Sequence, residues 1–439
     1  MKWIGQLKPF DYQFNTVAEI IDNDERKAAL YWDMGTGKTI AGAELISQWN
    51  DRINLVICQK SKITDWIDFF NQHYPQRFHV LDLTKNELLT ALFEYSKLQS
   101  CLPIIGVINY ELTFRRPDLL NLENTNLLLD ESSLIQNEAA KRTKFILKLA
   151  EHANHIALLS GTPTGGKYER LYSQMKLLGW PISKKLYWNQ FIIVKYLDSI
   201  GHSIPIVTGY KNVNRLKRKM RNYGCRFLKA EEIIELPEQN FITVDVNPIK
   251  EYKRFKKNDL VILDDPEIVE LVGDTTLTKM LYERQLCGQY NHNKLQAFKD
   301  LVESTDDRLI VFYNFTAELE QLESICQSLG RCISVVNGRF KNLNAYYQKD
   351  DSVTFIQYQA GAMGLNLQLA NKIIYFTPPL SSELFEQSKK RIHRIGQPRP
   401  CFYYQLTVKE SIEKHVYKTL EKRQNYTERL FEHDSRKEV

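Results

Sequence analysis

The chain has 439 residues, 43% hydrophobic and 11% aromatic, enough for two to three packed domains of about 150 residues each and incompatible with a disordered protein. A net charge of +6 permits a polyanionic partner without requiring one, and no apolar run nears the ~20 residues of a membrane span. The seven cysteines are dispersed with no Cys-x-x-Cys pair and the N-terminus has no signal-peptide pattern, so a zinc site is disfavoured and a reducing cytoplasm is expected.

Along the chain, Leu7-Lys8-Pro9-Phe10-Asp11-Tyr12-Gln13 reads either as a helix start with Pro9 in the first turn or as a cradle for a base. In the second reading Gln13 offers a donor and an acceptor to an adenine edge. Ala28-Ala29-Leu30-Tyr31 reads as a short strand, and Met34-Gly35-Thr36-Gly37-Lys38-Thr39 follows as a phosphate-binding turn. Gly35 and Gly37 let the backbone turn so that consecutive N–H groups point at a polyphosphate. Lys38 would reach the β- and γ-phosphates and the Thr39 hydroxyl a Mg²⁺ ion, at the N-terminus of a helix running through Ile46. Trp32 stands where the looser G-x-x-x-x-G-K-[ST] pattern has glycine, and a purely structural turn before a helix is the bland alternative.

Asn54–Cys58 is a strand-like run ending at Gln59-Lys60-Ser61-Lys62, with a helical pattern through Trp66, Phe69 and Phe70. That loop can grip nucleic-acid phosphates, and a solvated loop reads equally well. Pro103–Ile108 is another buried strand, ending in Asn109-Tyr110, and Thr125–Leu129 delivers Asp130-Glu131 to a strand tip. Asp130 can hold Mg²⁺ through water and Glu131 can orient or deprotonate an attacking water. His155–Leu159 leads into Ser160-Gly161-Thr162-Pro163, a hydroxyl-bearing turn suited to sensing a γ-phosphate, or a plain strand-to-helix turn.

From Gly165 to about Thr278 the pattern is mostly helical and highly charged. Lys211–Arg221, which includes Lys217, Arg218 and Lys219, is a basic helix that can track a phosphate backbone or simply face solvent. Phe241–Val246 alternates like a strand near a domain boundary. The second half repeats the α/β rhythm without its own phosphate loop: strands at Arg308–Tyr313, Arg331–Val336, Ser352–Gln357 and Lys372–Phe376, and a Gly-rich loop at 359–367. If Gln387–Gln397 is helical, Gln387, Arg391 and Arg394 share one face at i, i+4 and i+7. Two guanidiniums there suit a γ-phosphate, or a basic surface.

This ordered set resembles the superfamily-two helicases and, within them, the Swi/Snf-type DNA-dependent ATPases. Arg391-Ile392-His393-Arg394-Ile395-Gly396-Gln397 is its most specific part. The resemblance implies an α/β fold of two RecA-like lobes, parallel sheets flanked by helices, with ATP in the cleft between them and a helical insertion between the lobe cores. The expected division is 1–245 for lobe one with a helical extension over 165–240, 246–285 for a helical connection, and 286–439 for lobe two. It makes Gln13 the adenine-reading glutamine, places Met34, Gly35, Thr36, Gly37, Lys38 and Thr39 in motif I, Asp130 and Glu131 in motif II, and Ser160, Gly161 and Thr162 in motif III. Gly364 and Asn366 fall in motif V, and Gln387, Arg391 and Arg394 in motif VI. Lys60, Ser61, Asn109, Tyr110, Gly361 and Met363 match loops that grip the DNA backbone in that family. ATP and Mg²⁺ are the implied cofactors and DNA the implied partner, duplex favoured and single strands allowed.

Two departures carry expectations of their own. Ser132-Ser133 replaces the usual small residue and His after the acids, which is expected to weaken the link to motif III. Thr377-Pro378-Pro379-Leu380 stands where chromatin remodellers usually have an acidic-Trp-Asn segment, and no chromatin-reading module is recognisable. The expectation is a monomeric, ATP-driven translocase in a bacterial or phage-infected cytoplasm. A strand-separating helicase is the alternative and a non-catalytic DNA-binding adaptor the remote one.

Overall fold

The central strands of the two sheets are apolar at nearly every position because they lie in parallel sheets covered on both faces. The computed structural model describes residues 1–97, 102–199, 202–233, 235–263, 269–361 and 365–431. The chain divides into two compact units, built on Met1–Ile233 and on Ile234–Asn425.

In the first unit, β1 (Lys27–Trp32), β2 (Ile53–Cys58), β3 (His79–Asp82), β4 (Ile104–Asn109), β5 (Thr125–Asp130) and β6 (Ala153–Leu159) precede an antiparallel ribbon of β7 (Ile192–Ser199) and β8 (His202–Tyr210), and β9 (Cys225–Leu228) follows it. The sheet has the order β3-β4-β2-β5-β6-β1-β9 and every pairing in it is parallel. Every residue of β2 and of β4 is buried. The two faces carry separate cores, one around Leu55, Ile57, Ile104 and Leu127, the other around Leu30, Val56, Trp66 and Phe70.

In the second unit, β10 (Gln239–Val246), a ribbon of β11 (Leu260–Leu263) and β12 (Val269–Val272), β13 (Leu309–Tyr313), β14 (Ile333–Val336), β15 (Lys341–Asn342), β16 (Val353–Gln357), β17 (Lys372–Tyr375) and β18 (Cys401–Val408) follow in turn. The second sheet runs β10-β18-β17-β13-β16-β14-β15, parallel except at the short β14–β15 pair.

Between the lobe cores the expected helices are present, as Lys184–Phe191, Val213–Asn222, Lys250–Asn258 and Thr276–Cys287, but two antiparallel ribbons accompany them. The run Ile192-Ile193-Val194 is β-branched, and such residues favour the pleated over the helical backbone. The strand that the sequence places at the end of lobe one, β10, pairs with β18 from Gln239↔Cys401 to Val246↔Val408 and so belongs to the second sheet. The loop that the sequence suggests at Asp264-Asp265-Pro266 lies outside the described residues. Among the described residues no helix is long and apolar enough to cross a membrane.

A buried carboxylate sits at the carboxyl end of β13. Glu318, fully buried, accepts the N–H groups of Asn314 at 2.9 Å and Phe315 at 3.1 Å, and the Thr377 hydroxyl at 3.0 Å. It thereby satisfies the N-cap N–H of the helix Thr316–Ser328, whose N-cap Phe315 has no side-chain acceptor of its own. Burial pushes its carboxyl up to about 7, against the hydrogen bonds that hold it down. The native state therefore keeps a proton that the unfolded chain has released. This stability is fully present below the unfolded value and is lost as pH rises through about 7. The total is on the order of 3 kcal/mol. Glu318→Gln is expected to flatten the decline in melting temperature between pH 5 and 8, and an unaltered slope would assign that decline to other groups.

Candidate functional site

The phosphate-binding turn forms where β1 gives way to the helix Lys38–Trp49. Gly35 and Gly37 have φ of +81° and +74°, the left-handed region that glycine enters without strain. At Gly37 a Cβ would stand 2.2 Å from Gln13 Nε2. No side chain caps this helix, and its Ile40 N–H donates to the Gly37 carbonyl at 3.0 Å. The helix lies close on the sheet at Gly42, where a Cβ would come within 2.9 Å of Leu159 and 3.0 Å of Leu128. Met34 and Thr39 are half-buried in and just after the turn.

The turn is braced from several sides. Lys38 Nζ donates to the carbonyls of Trp32 and Asp33, both at 2.8 Å. The Thr36 hydroxyl donates to the Asp33 carbonyl at 2.7 Å, and the Thr36 carbonyl accepts from Tyr12 OH at 2.8 Å and Gln13 Nε2 at 3.0 Å. Gln13 Oε1 accepts the Phe10 N–H at 3.0 Å. Gln13 is fully buried, and both ends of its amide are engaged within the chain, so here it anchors the turn.

The order β5-β6-β1 sets the acid pair, the Ser160–Thr162 turn and the phosphate turn side by side at the carboxyl edge of one sheet, where parallel sheets bind ligands. Asp130 ends β5, and its Oδ2 accepts the Trp66 indole N–H at 2.9 Å. Glu131 has φ 56° and ψ 60°, a left-handed conformation that costs a non-glycine residue on the order of 1–3 kcal/mol. Its Oε1 accepts the Ser160 hydroxyl at 2.6 Å and the Ser133 hydroxyl at 2.8 Å. Burial pushes both carboxyls above their ordinary values, opposed at Asp130 by the Trp66 bond and at Glu131 by the two serines. Gly161 packs against the phosphate turn, its Cβ position 3.3 Å from Met34 Cγ and 3.6 Å from Lys38 Nζ. The Thr162 N–H donates to Ser160 Oγ at 3.2 Å.

Ser133 and Ser160 converge on one oxygen of Glu131, so the acid pair and the Ser160–Thr162 turn are joined by a direct hydrogen bond. Ser132 donates instead to Gln174 Oε1 at 2.8 Å. Gln174 also accepts from Tyr31 OH at 2.9 Å and donates to the Pro163 carbonyl at 2.8 Å. This one buried amide ties β1, the acid pair and the Ser160–Pro163 turn together. Sequence reasoning missed it, because a glutamine within a short helix carries no local signal.

The donor set suits a magnesium nucleotide. No group of three or more metal-ligating side chains exists among the described residues, and Mg²⁺ at such sites relies on one or two carboxylates plus phosphates. Asp130 and the Thr39 hydroxyl are the groups that would hold it.

Other expected positions separate into those on an accessible surface and those that are not. Lys60 and Ser61 are exposed in the 3₁₀ turn Lys60–Lys62 after β2. Asn109 is 7% exposed and donates to Glu111 at 3.0 Å. Tyr110 is fully buried, its hydroxyl donating to the Asp130 carbonyl at 2.9 Å, so its side chain serves the acid pair and not a surface. Lys217 is 3% exposed, whereas Arg218 is exposed and Lys219 half-buried. Neighbours along a helix point about 100° apart, so the three cannot form one basic face.

In the second unit the helix Ser382–Lys389 ends before the arginines, contrary to the shared helical face. Arg391 and Arg394 lie in turns that are sewn to the loop after residue 364. The Leu367 N–H donates to the Arg391 carbonyl at 3.1 Å, and Arg394 Nη1 donates to Asn366 Oδ1. Gln397 Nε2 donates to the carbonyls of Gln368, Ala370 and Ile392 at 3.1, 2.7 and 3.3 Å. Gln387 is 4% exposed. Gly361 closes the short helix Tyr358–Gly361, and Met363 and Gly364 lie outside the described residues.

The SNF2-related domain matches residues 12–292 and the helicase conserved C-terminal domain matches residues 293–396. An uncharacterized ATP-dependent helicase, YqhH, of Bacillus subtilis is 21% identical over 95% of this chain and 78% of its own. A homolog of SWI/SNF-related matrix-associated actin-dependent regulator of chromatin subfamily A-like protein 1 from Caenorhabditis elegans is 23% identical over 92% of this chain, which spans only 59% of that relative. Among solved structures, the Sulfolobus solfataricus SWI2/SNF2 ATPase core in complex with dsDNA aligns over 98% of this chain and 94% of its own, with 18% identity and a TM-score of 0.47.

Proposed function

This chain belongs to the SNF2-related family, and from that premise we propose that it is a DNA-dependent ATPase that moves along duplex DNA. The observation that carries the reading is the side-by-side placement of the phosphate turn, the acid pair and the Ser160–Thr162 turn on one sheet edge. In this reading Met34 to Gly37 and the first helical turn cradle the phosphates through backbone N–H groups. Lys38 turns from its carbonyl partners to the β- and γ-phosphates. Thr39 and Asp130 would hold a magnesium ion, which when bound would supply charge neutralisation at the phosphates. Glu131 orients the attacking water and takes its proton. Arg391 and Arg394, with Gln387 beside them, are assigned by family resemblance to the charge that develops on the γ-phosphoryl group. Asn366, Ser160, Gly161 and Thr162 report nucleotide state to the rest of the chain.

For DNA, Lys60, Ser61, Asn109, Gly361, Met363, Arg218 and Lys219 remain the proposed contacts. Lys217 and the Tyr110 side chain leave that set because they are buried. We further place the protein in the cytoplasm as a monomer. The test is ATP hydrolysis without nucleic acid and with single-stranded DNA, duplex DNA or RNA. Stimulation by duplex DNA is expected. Stimulation by single strands alone would favour a strand-separating helicase, and none by any polymer would overturn the proposal.

A further inference from the structure

Asp130 receives a hydrogen bond from each of two separate helical segments, one following β2 and one following β4. The Trp66 indole N–H donates to its carboxylate and the Tyr110 hydroxyl to its main-chain carbonyl, each at 2.9 Å. Neither donor belongs to the nucleotide-binding set. Trp66 sits one turn into the helix Ile63–His73, which begins directly after the exposed turn Lys60–Lys62. Tyr110 opens the helix Tyr110–Thr113, directly after Asn109. The two strands that precede these segments, β2 and β4, are neighbours, and β2 also adjoins β5.

Packing alone does not explain these side chains. Trp66 is 2% exposed and stacks on Phe70 with ring centroids 5.8 Å apart, which a phenylalanine could also do. Tyr110 is fully buried among apolar neighbours, where a phenylalanine would lose nothing in area. What the indole and the phenol add is one polar hydrogen each, and buried N–H and O–H groups of these residues are spent on a specific acceptor. Both are spent on the same residue, which is also the acidic group that would hold the metal.

We propose that Trp66 and Tyr110 are positioning residues that transmit DNA occupancy of the two loops to Asp130, and so to its grip on the magnesium nucleotide. This rests on the reading of the chain as a DNA-dependent ATPase whose Lys60–Ser61 and Asn109 loops hold the backbone. A phosphodiester drawn to the Lys60–Lys62 turn bears on the helix that carries Trp66, and the indole fixes the direction of one carboxylate oxygen. Contact at Asn109 bears in the same way on Tyr110, which fixes the main chain of Asp130. Two loops that act on one carboxylate need no route through the rest of the sheet.

The test is a coupling measurement. The dissociation constant of a fluorescent ADP analogue with Mg²⁺ is measured with and without a saturating short duplex, and that of the duplex with and without the nucleotide. Reciprocity requires one factor for both, in the range of about 5–150-fold for coupled sites. Trp66→Phe and Tyr110→Phe are each expected to shrink that factor, and the double variant to bring it close to one. The duplex measured alone should bind nearly as it does to the parent, while the magnesium nucleotide measured alone can weaken through Asp130 without bearing on the ratio. A merely structural role would weaken both ligands alone and leave the ratio intact. A parent with no coupling, or variants that keep the parental factor, would overturn the proposal. A parent that binds no duplex and gains no turnover from it would instead overturn the DNA-dependent reading.

Discussion

Replacing Glu131 by Gln is expected to lower ATP turnover by about 10²–10⁴-fold, the usual contribution of a positioned general base. Nucleotide and duplex affinities should stay close to the parent's. The substitution keeps the size and one acceptor oxygen, so the Ser133 and Ser160 hydroxyls retain a partner. It removes only the capacity to take a proton from water. The backbone at Glu131 is left-handed, a conformation the surrounding structure has to impose, and Gln adopts it no less readily than Glu. Melting temperature should therefore hardly move. Single-turnover hydrolysis alongside a melting curve separates the two effects. Parental turnover in the variant would remove Glu131 from the chemistry and leave it as a strained link between strand and turn.

The second large effect is expected at the paired arginines. Arg391→Lys and Arg394→Lys should each lower turnover, the full finger contribution being about 10³–10⁵-fold. Lysine keeps the charge but loses the planar fork that meets a phosphate with two parallel hydrogen bonds. The two positions should differ in stability. Arg391 is 4% exposed and its turn is held by the Leu367 N–H, so truncation to Ala there is expected to destabilise the second unit as well. Arg394 is held by Asn366, and Asn366→Ala should lower turnover less than Arg394→Ala because it frees the guanidinium without removing it. Stopped assays and urea melts on the five variants check this. If Arg394→Lys turns over like the parent, its assignment to the γ-phosphate fails.

The features most legible in the sequence are those carried by consecutive residues. A turn that needs two glycines, a lysine and a threonine in fixed order is written within one stretch, and Met34–Thr39 folds as that stretch requires. The apolar runs Asn54–Cys58 and Thr125–Leu129 likewise announce buried parallel strands, because a strand covered on both faces leaves no polar positions. Length was less legible. The run Gln387–Gln397 has helical spacing, yet its helix stops at Lys389, and the turns beyond it are stabilised by Leu367, Asn366 and Gln397.

By itself, then, the sequence determined the α/β rhythm, the phosphate turn, the acid pair at a strand tip and the family they resemble, since each depends on residues within a few positions of one another. Only the tertiary structure decided which side chains surround them. It buried Lys217 and Tyr110, gave Asp130 the indole of a residue 64 positions away, and joined Tyr31 to Gln174 across 143 positions. It also moved the strand Gln239–Val246 into the second sheet. The physical reason is the same in each case. A buried donor must find an acceptor and a strand edge must find a partner, and the partner is chosen by the packing of the whole sheet, which no local pattern encodes.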